Sequence, residues 1–262
     1  KTLCGIEQGK AEVSFFRQGL KASDAVLLSF DLEVNRALTS LNLAVNQIGA
    51  GGAKAIAGSL LQSSLTRLVI NVELNIEQLK THTSIDVTRN GLREEEAIIL
   101  AKCIEFNRSL NSINLLKNDL GEGGLAHIAA AWEQNTTLKS ICGIAAGAET
   151  ADLQHQGLGA ADARIIALEL RFNRALTTLD LASNDIGVPD GWSIERESWG
   201  DIKHYKHTDG RTQEERPQGT SSGALALSES LKVNRALASL ILLGNLIGDV
   251  GARAIADSLP QS

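Results

Sequence analysis

Leucine and isoleucine recur along this chain at the first, fourth and sixth positions of a segment that ends in asparagine. The clearest segments read Leu38-x-x-Leu41-x-Leu43-x-x-Asn46-x-Ile48 and Leu110-x-x-Ile113-x-Leu115-x-x-Asn118-x-Leu120. Two more read Leu176-x-x-Leu179-x-Leu181-x-x-Asn184-x-Ile186 and Leu237-x-x-Leu240-x-Leu242-x-x-Asn245-x-Ile247. Around positions four and six apolar residues alternate with small or polar ones, the period of a strand. Beyond the asparagine the period lengthens. Gly52-Ala53-Lys54-Ala55-Ile56-Ala57-Gly58-Ser59-Leu60 is nearly copied as Gly251-Ala252-Arg253-Ala254-Ile255-Ala256-Asp257-Ser258-Leu259. There the apolar residues fall at helical spacing, with a small-residue face that lets a helix lie close to its neighbour. Each unit is predicted to be strand, turn, helix, turn.

Units begin at residues 10 and 38, 82 and 110, and 148 and 176, a spacing of 28 within each pair. Lys1-Thr2-Leu3-Cys4-Gly5-Ile6 returns 138 residues later as Lys139-Ser140-Ile141-Cys142-Gly143-Ile144. Gln18 and Gln156, and Asn35 and Asn173, keep that shift. Such units bury their apolar faces only by stacking. Asn46, Asn118, Asn184 and Asn245 are predicted to be structural. An amide both donates and accepts, so stacked asparagines can satisfy backbone groups that the bend leaves unpaired.

The pattern resembles leucine-rich repeats of the ribonuclease-inhibitor type, at about 28 residues per unit. The resemblance implies an α/β solenoid, with a curved parallel sheet inside and helices outside. It covers residues 1–187 and 223–262 and leaves out 188–222. Members of that family include enzyme inhibitors, GTPase-activating proteins and the sensor ends of innate immune receptors. Function therefore has to come from a site and not from the fold.

The spacing fails in three places. Only 17 residues separate the units at 65 and 82, and only 10 those at 138 and 148, so the array is expected to be pinched at both. Units at 176 and 237 lie 61 apart, and the excess contains Asp209-Gly210 between runs with Tyr205, Arg211 and Thr212, a hairpin signal. This insert is similar to a WW domain. Pro189, Gly191 and Trp192 match the family's opening, His207 its histidine and Pro217 its closing proline. The resemblance implies that Pro189 and Pro217 sandwich Trp192. The family's peptide groove needs two aromatic walls. Here Glu214 and His204 stand in those positions, so capture of proline-rich peptides is not expected.

Composition narrows the partners. A net charge of −6 argues against binding a phosphate backbone. No apolar run approaches a membrane span. Three cysteines make no disulfide scaffold, and Cys4 and Cys142 share one repeat position, so buried thiols in a reducing, cytoplasmic setting are expected. The chain opens without Met inside a repeat and ends in a helical pattern, which reads as a piece of something longer.

No catalytic kit is visible, and the chain reads as a non-enzyme without metal or other cofactor. Gly49-x-Gly51-Gly52 and Gly121-x-Gly123-Gly124 do not complete a phosphate loop, since Lys54 and Ala126 occupy the third glycine position. They suit a tight strand-to-helix turn. His204, His207 and Asp209 share one hairpin without a second contributing segment. Arg36, Arg108, Arg174 and Arg235 recur at one repeat position and are expected to cap helix carbonyls. Two glycosylation sequons, at Asn107 and Asn135, fall in the same turn and read as turn residues.

Strand alternation turns the third, fifth and seventh positions away from the core, onto the concave sheet. The partner-binding set expected there is Ser40, Asn42, Ser84, Asp86, Ser112, Asn114, Leu116, Asp152, Gln154, Thr178, Asp180, Ile241 and Leu243. The face is small and mildly acidic, then apolar at its end. It lacks the Trp, Tyr and Arg anchors of tight interfaces. The expectation is a scaffold binding an unidentified protein, with no small-molecule substrate. Regulation of an enzyme, such as GTPase activation, is the alternative.

Overall fold

The computed structural model describes residues 2–7, 9–196, 202–215, 217 and 221–259. Lys1, which opens the duplicated hexapeptide, and residues 197–201, 216 and 218–220 of the insert lie outside the described residues. Two compact units form, one from residues 1–113 with 118–138 and one from 114–117 with 139–262.

In the first unit, β1 (Glu12–Ser14), β2 (Ser40–Asn42) and β3 (Arg67–Val69) run parallel and in register, with Glu12 beside Ser40 beside Arg67. The chain then doubles back, and β4 (Glu73–Asn75) pairs antiparallel with β3. A single turn of helix, α3 (Ile76–Thr81), follows, and β5 (Ser84–Asp86) and β6 (Ser112–Asn114) make a separate two-stranded sheet. The long helices are α1 (Ala22–Val34), α2 (Gly49–Ser59), α4 (Glu94–Phe106) and α5 (Gly121–Gln134). They pack in the order α1, α2, α4, α5. Gly49 and Gly121 open α2 and α5 with φ of +57° and +65°. A Cβ on Gly52 would sit 2.6 Å from Cγ2 of Ile48 and 2.8 Å from Cβ of Ala25. The glycines therefore serve the turn and close helix packing, as the sequence suggests.

In the second unit, β7 (Thr150–Asp152), β8 (Thr178–Asp180) and β12 (Ser239–Ile241) form a parallel sheet in the order β12-β8-β7. Helices α6 (Ala160–Phe172), α7 (Ser222–Val233) and α8 (Gly248–Ser258) pack in sequence. The insert supplies an antiparallel sheet of β9 (Trp192–Arg196), β10 (Ile202–His207) and β11 (Thr212–Gln213), in the order β11-β10-β9. The Trp192 ring meets His207 edge-on at 4.9 Å, and Arg211 lies over it at 5.6 Å. Pro189 and Pro217 are both buried. His204 bonds Glu195 at 2.9 Å.

The strands thus form several small sheets where one continuous parallel sheet was expected. The interruptions fall at the two short spacings. Seventeen residues are too few for strand, turn and full helix, and a hairpin plus one helical turn takes their place. Near residue 141 the ladder shrinks to an isolated antiparallel bridge between Asn114 and Cys142.

What joins neighbouring coils is the asparagine at the strand end. Oδ1 of Asn184 accepts the amides of Gln156 and Leu158 at 3.0 Å each, while Nδ2 donates to the carbonyls of Leu153 and Leu181 at 2.8 and 2.9 Å. Asn46 does the same for Gln18, Leu20, Phe15 and Leu43. Asn118 serves Asn90, Leu92 and Val87, and Asn245 serves Ile186, Leu181 and Leu242. The residue before the first three of these asparagines is left-handed, with φ of 58° at Val45, 63° at Lys117 and 55° at Ser183. For a β-branched residue such as Val45 that conformation is strained by roughly 1–3 kcal/mol. The amide clamp holds it.

A second asparagine column lies in the turn where the two sequons fall, and its hydrogen-bonding role was not anticipated. Asn35, Asn107, Asn135, Asn173 and Asn234 each accept the amides two and three residues on. Nδ2 of Asn107 donates to the carbonyls of Leu79 and His82, and Nδ2 of Asn135 to those of Ile104 and Asn107. Both sequon amides are therefore buried and engaged, and the sequons are turn residues. The recurrent arginines beside this column are exposed, and among the described residues they make no side-chain hydrogen bond. The asparagine, not the arginine, binds the helix-end carbonyls.

Candidate protein-interaction face

The expected face has to be read in each unit separately. In the first, Ser40 is buried and accepts a hydrogen bond from the Arg67 guanidinium at 3.2 Å, and Asn42 is half-buried beside it. Arg67 also bonds Glu73 at 2.7 Å across the β3–β4 hairpin. That bond holds the Glu73 carboxyl below its ordinary range. Arg67 is a face residue that the sequence set omits. Leu65-x-x-Leu68-x-Ile70 matches the repeat and places Arg67 at its third position. The unit at 65 is recognised in the sequence, but its strand is left out of the expected face because no full helix follows it. Ser84 and Asp86 are exposed, and Ser112 is half-buried.

In the second unit Asp152 and Gln154 are exposed, and Thr178 and Asp180 are half-buried. Asp152 lies beside Asp180, which lies beside Ile241. Ile241 and Leu243 are 39% and 78% exposed. Asn114 is half-buried. Leu116 is 2% exposed, too buried for a binding surface, so it leaves the candidate set.

The fifth position has a structural task as well. Asn42, Asp86, Asn114, Asp152 and Asp180 each accept the amide two residues on, at 2.8–3.2 Å. This Asx turn ends the strand. The Gln154 side chain, its amide and nearby His155 hold the Asp152 carboxyl below its ordinary range. Among the described residues neither Asp152 nor Asp180 has an ion-pair partner.

Buried ionisable groups elsewhere are structural. Asp31 accepts the amides of Leu3 and Cys4 at 2.8 Å each. Glu169, 138 residues on, accepts those of Ile141 and Cys142 at 2.7 and 3.2 Å. Burial raises the Glu169 carboxyl above its ordinary range despite these bonds. Burial also lifts the thiols, Cys103 to about 12 and Cys4, helped by Asp31, to about 11. Cys142 is likewise raised by burial and buried as expected, whereas Cys4 is half-exposed. A cleft of about 730 Å³ beside α1 is lined by Leu3, Ile6, Phe30 and Val34, with Asp31 the sole carboxylate. No group of three or more metal-ligating side chains occurs among the described residues.

A family model described as Leucine Rich repeat matches residues 34–57 and 172–191. These segments contain Asn46 and Asn184 with the strands before them. In those two segments the chain matches leucine-rich repeats. It is 27% identical over 209 residues to the human protein named NACHT, LRR and PYD domains-containing protein 5. That match covers 64% of the chain and 17% of the relative's length, so the chain corresponds to a small part of it. A solved structure, Leiomodin-1 Actin-Binding Site 2 (ABS2), aligns over 70% of this chain and 84% of its own at 15% identity, with a TM-score of 0.35. Among the described residues no helix is long and apolar enough to cross a membrane.

Proposed function

We propose that this chain is a non-catalytic protein-interaction module that meets its partner through the exposed strand faces of its leucine-rich repeats. The observation that carries the reading is the division of labour within each repeat. Leu41, Leu43, Ile113, Leu115, Leu179 and Leu181 at positions four and six are buried, Leu240 and Leu242 are half-buried, and the asparagine clamps satisfy the bend. Most third, fifth and seventh positions are left as the outward surface of the strands, Ser40, Leu116 and Ala182 being buried. Protein recognition suits such a preorganised surface. A reducing cytoplasmic setting agrees with the free thiols of Cys103 and Cys142. In this reading the insert is an ornament on the second unit that folds on Trp192. Its antiparallel sheet suits the WW-like reading, in which Glu214 and His204 stand where the walls of the peptide groove would be.

The test is selection of a random displayed-peptide library on the full chain. Enriched peptides are then offered to Asn42→Trp and Thr178→Trp, which bulk the two faces. More than about a tenfold loss of affinity in one variant, with unchanged circular dichroism, is expected. Undiminished capture by both removes the strand faces from the reading.

A further inference from the structure

From the chemistry of the second unit's strand face, we infer that it binds a basic, aliphatic peptide segment of another protein. The cation sits over Asp152 and Asp180, and the aliphatic side chain over Ile241 and Leu243. The inference rests on the interaction reading above and adds the partner's chemistry and the unit that holds it.

Two observations converge. The first is a departure from the repeat. In five strands the fifth position is Asn or Asp and accepts the amide two residues on. In β12 that position is Ile241, which forgoes the bond, and the seventh position is Leu243. Stacking does not ask for this change. The positions that stack are Leu240 and Leu242, one residue to either side, and they point to the opposite face. Apolar chemistry has been placed outward, on an edge strand, where large aliphatic side chains otherwise invite association.

The second observation is charge. Asp152 and Asp180 are aligned on neighbouring strands about 4.8 Å apart. Their bonds are to amides of their own turns; His155 lies near Asp152, but no ion pair among the described residues holds either carboxylate. Asp180 lies directly beside Ile241. A ligand therefore needs a Lys or Arg within one strand spacing of a large aliphatic side chain. The first unit lacks this arrangement, because Arg67 already pairs with Glu73.

The sequences enriched on the full chain are read for this pattern. Most are expected to carry Lys or Arg within about three residues of Leu, Ile or Val, the reach of one strand face. Their affinity should fall about tenfold with Asp152→Asn combined with Asp180→Asn, and again with Leu243→Ser. It should also weaken from about 0.05 M to about 0.5 M salt. Asparagine keeps the oxygen that accepts the turn amide, and Leu243 is exposed, so the fold survives these changes. Acidic or uncharged winners, or unchanged affinity in the double variant, overturn the inference. If those winners still lose affinity to Thr178→Trp or Asn42→Trp, the interaction reading stands without it. Self-association of the unliganded chain that Leu243→Ser abolishes, seen by sedimentation, assigns the face to a second copy and also overturns it.

Discussion

The two parallel sheets are built from one repeat, yet their outward faces differ in what they leave unsatisfied. In the first unit β4 folds back along β3 and closes that edge, and Arg67 is held by Ser40 and Glu73. In the second unit β12 is an edge strand, Asp180 on β8 and Asp152 on β7 have no ion-pair partner among the described residues, and Ile241 and Leu243 face outward beside Ser239. The leucines behind both sheets are equivalent, with Leu41 and Leu68 at 0% and Leu179 at 1% exposure. A repeat therefore settles the inner layer alike in the inner strands, while Val13 and Leu240 on the edge strands are half-buried. Its outer layer is free to become self-paired in one place and receptive in another.

The same contrast extends to the asparagine clamps. Asn184 is fully buried and Asn46 only half-buried. Asn184→Ala strands two amides and two carbonyls away from water, and a loss of about 3 kcal/mol is expected. Asn46→Ala, where water can reach some of the freed groups, should lose about 1–2 kcal/mol. Urea midpoints of the two variants measure the difference. Equal losses would show that the clamps are alike in both units.

Alkali probes the dryness of the first unit's interior. The Cys103 thiol titrates at 9.0 in the unfolded chain and at about 12 when buried. A folded value raised above the unfolded one gives stability that is complete below pH 9 and lost as pH rises toward 12. By about pH 10.5 the loss should be roughly 2 kcal/mol. Cys103→Ala should make the fall between about pH 8 and about pH 10.5 shallower by that roughly 2 kcal/mol in denaturant titrations, the raised Cys4 and Cys142 thiols keeping the rest. A curve as steep as the parent's would place the alkaline sensitivity elsewhere.

The smallest expected effect concerns Arg67. The Arg67–Glu73 pair is exposed, and Arg67→Ala should change stability by less than about 1 kcal/mol. It should nevertheless free Glu73, leaving the first face acidic like the second. Weak binding of basic peptides to the first unit, mapped by hydrogen exchange, is the expected gain. Its absence would mean that unpaired charge without an aliphatic edge is not enough.

The strand segments, the helices, the clamp asparagines and the two interruptions were all legible in the chain, because each rests on local periodicity and on side chains whose partners lie one repeat away. Cys4 and Cys142 show where that reading stops. They occupy one repeat position, yet one is half-exposed and the other buried, because exposure depends on what packs outside the coil. Leu116 failed for the same reason, since alternation assigns a face and not a degree of burial. Arg67 lay at the third position of a recognised unit, but its pairing with Ser40 and Glu73 depends on a hairpin that the repeat does not specify.

Sequence by itself determined the repeat, its inner leucine layer and its hydrogen-bonding asparagines, since stacking identical units makes near neighbours the only contacts that matter. Tertiary structure alone decided that β4 closes one sheet, that Arg67 neutralises one face, and that Asp152, Asp180 and Ile241 stand side by side on the other. Those outcomes depend on strand register and on edges, which join residues that no period relates.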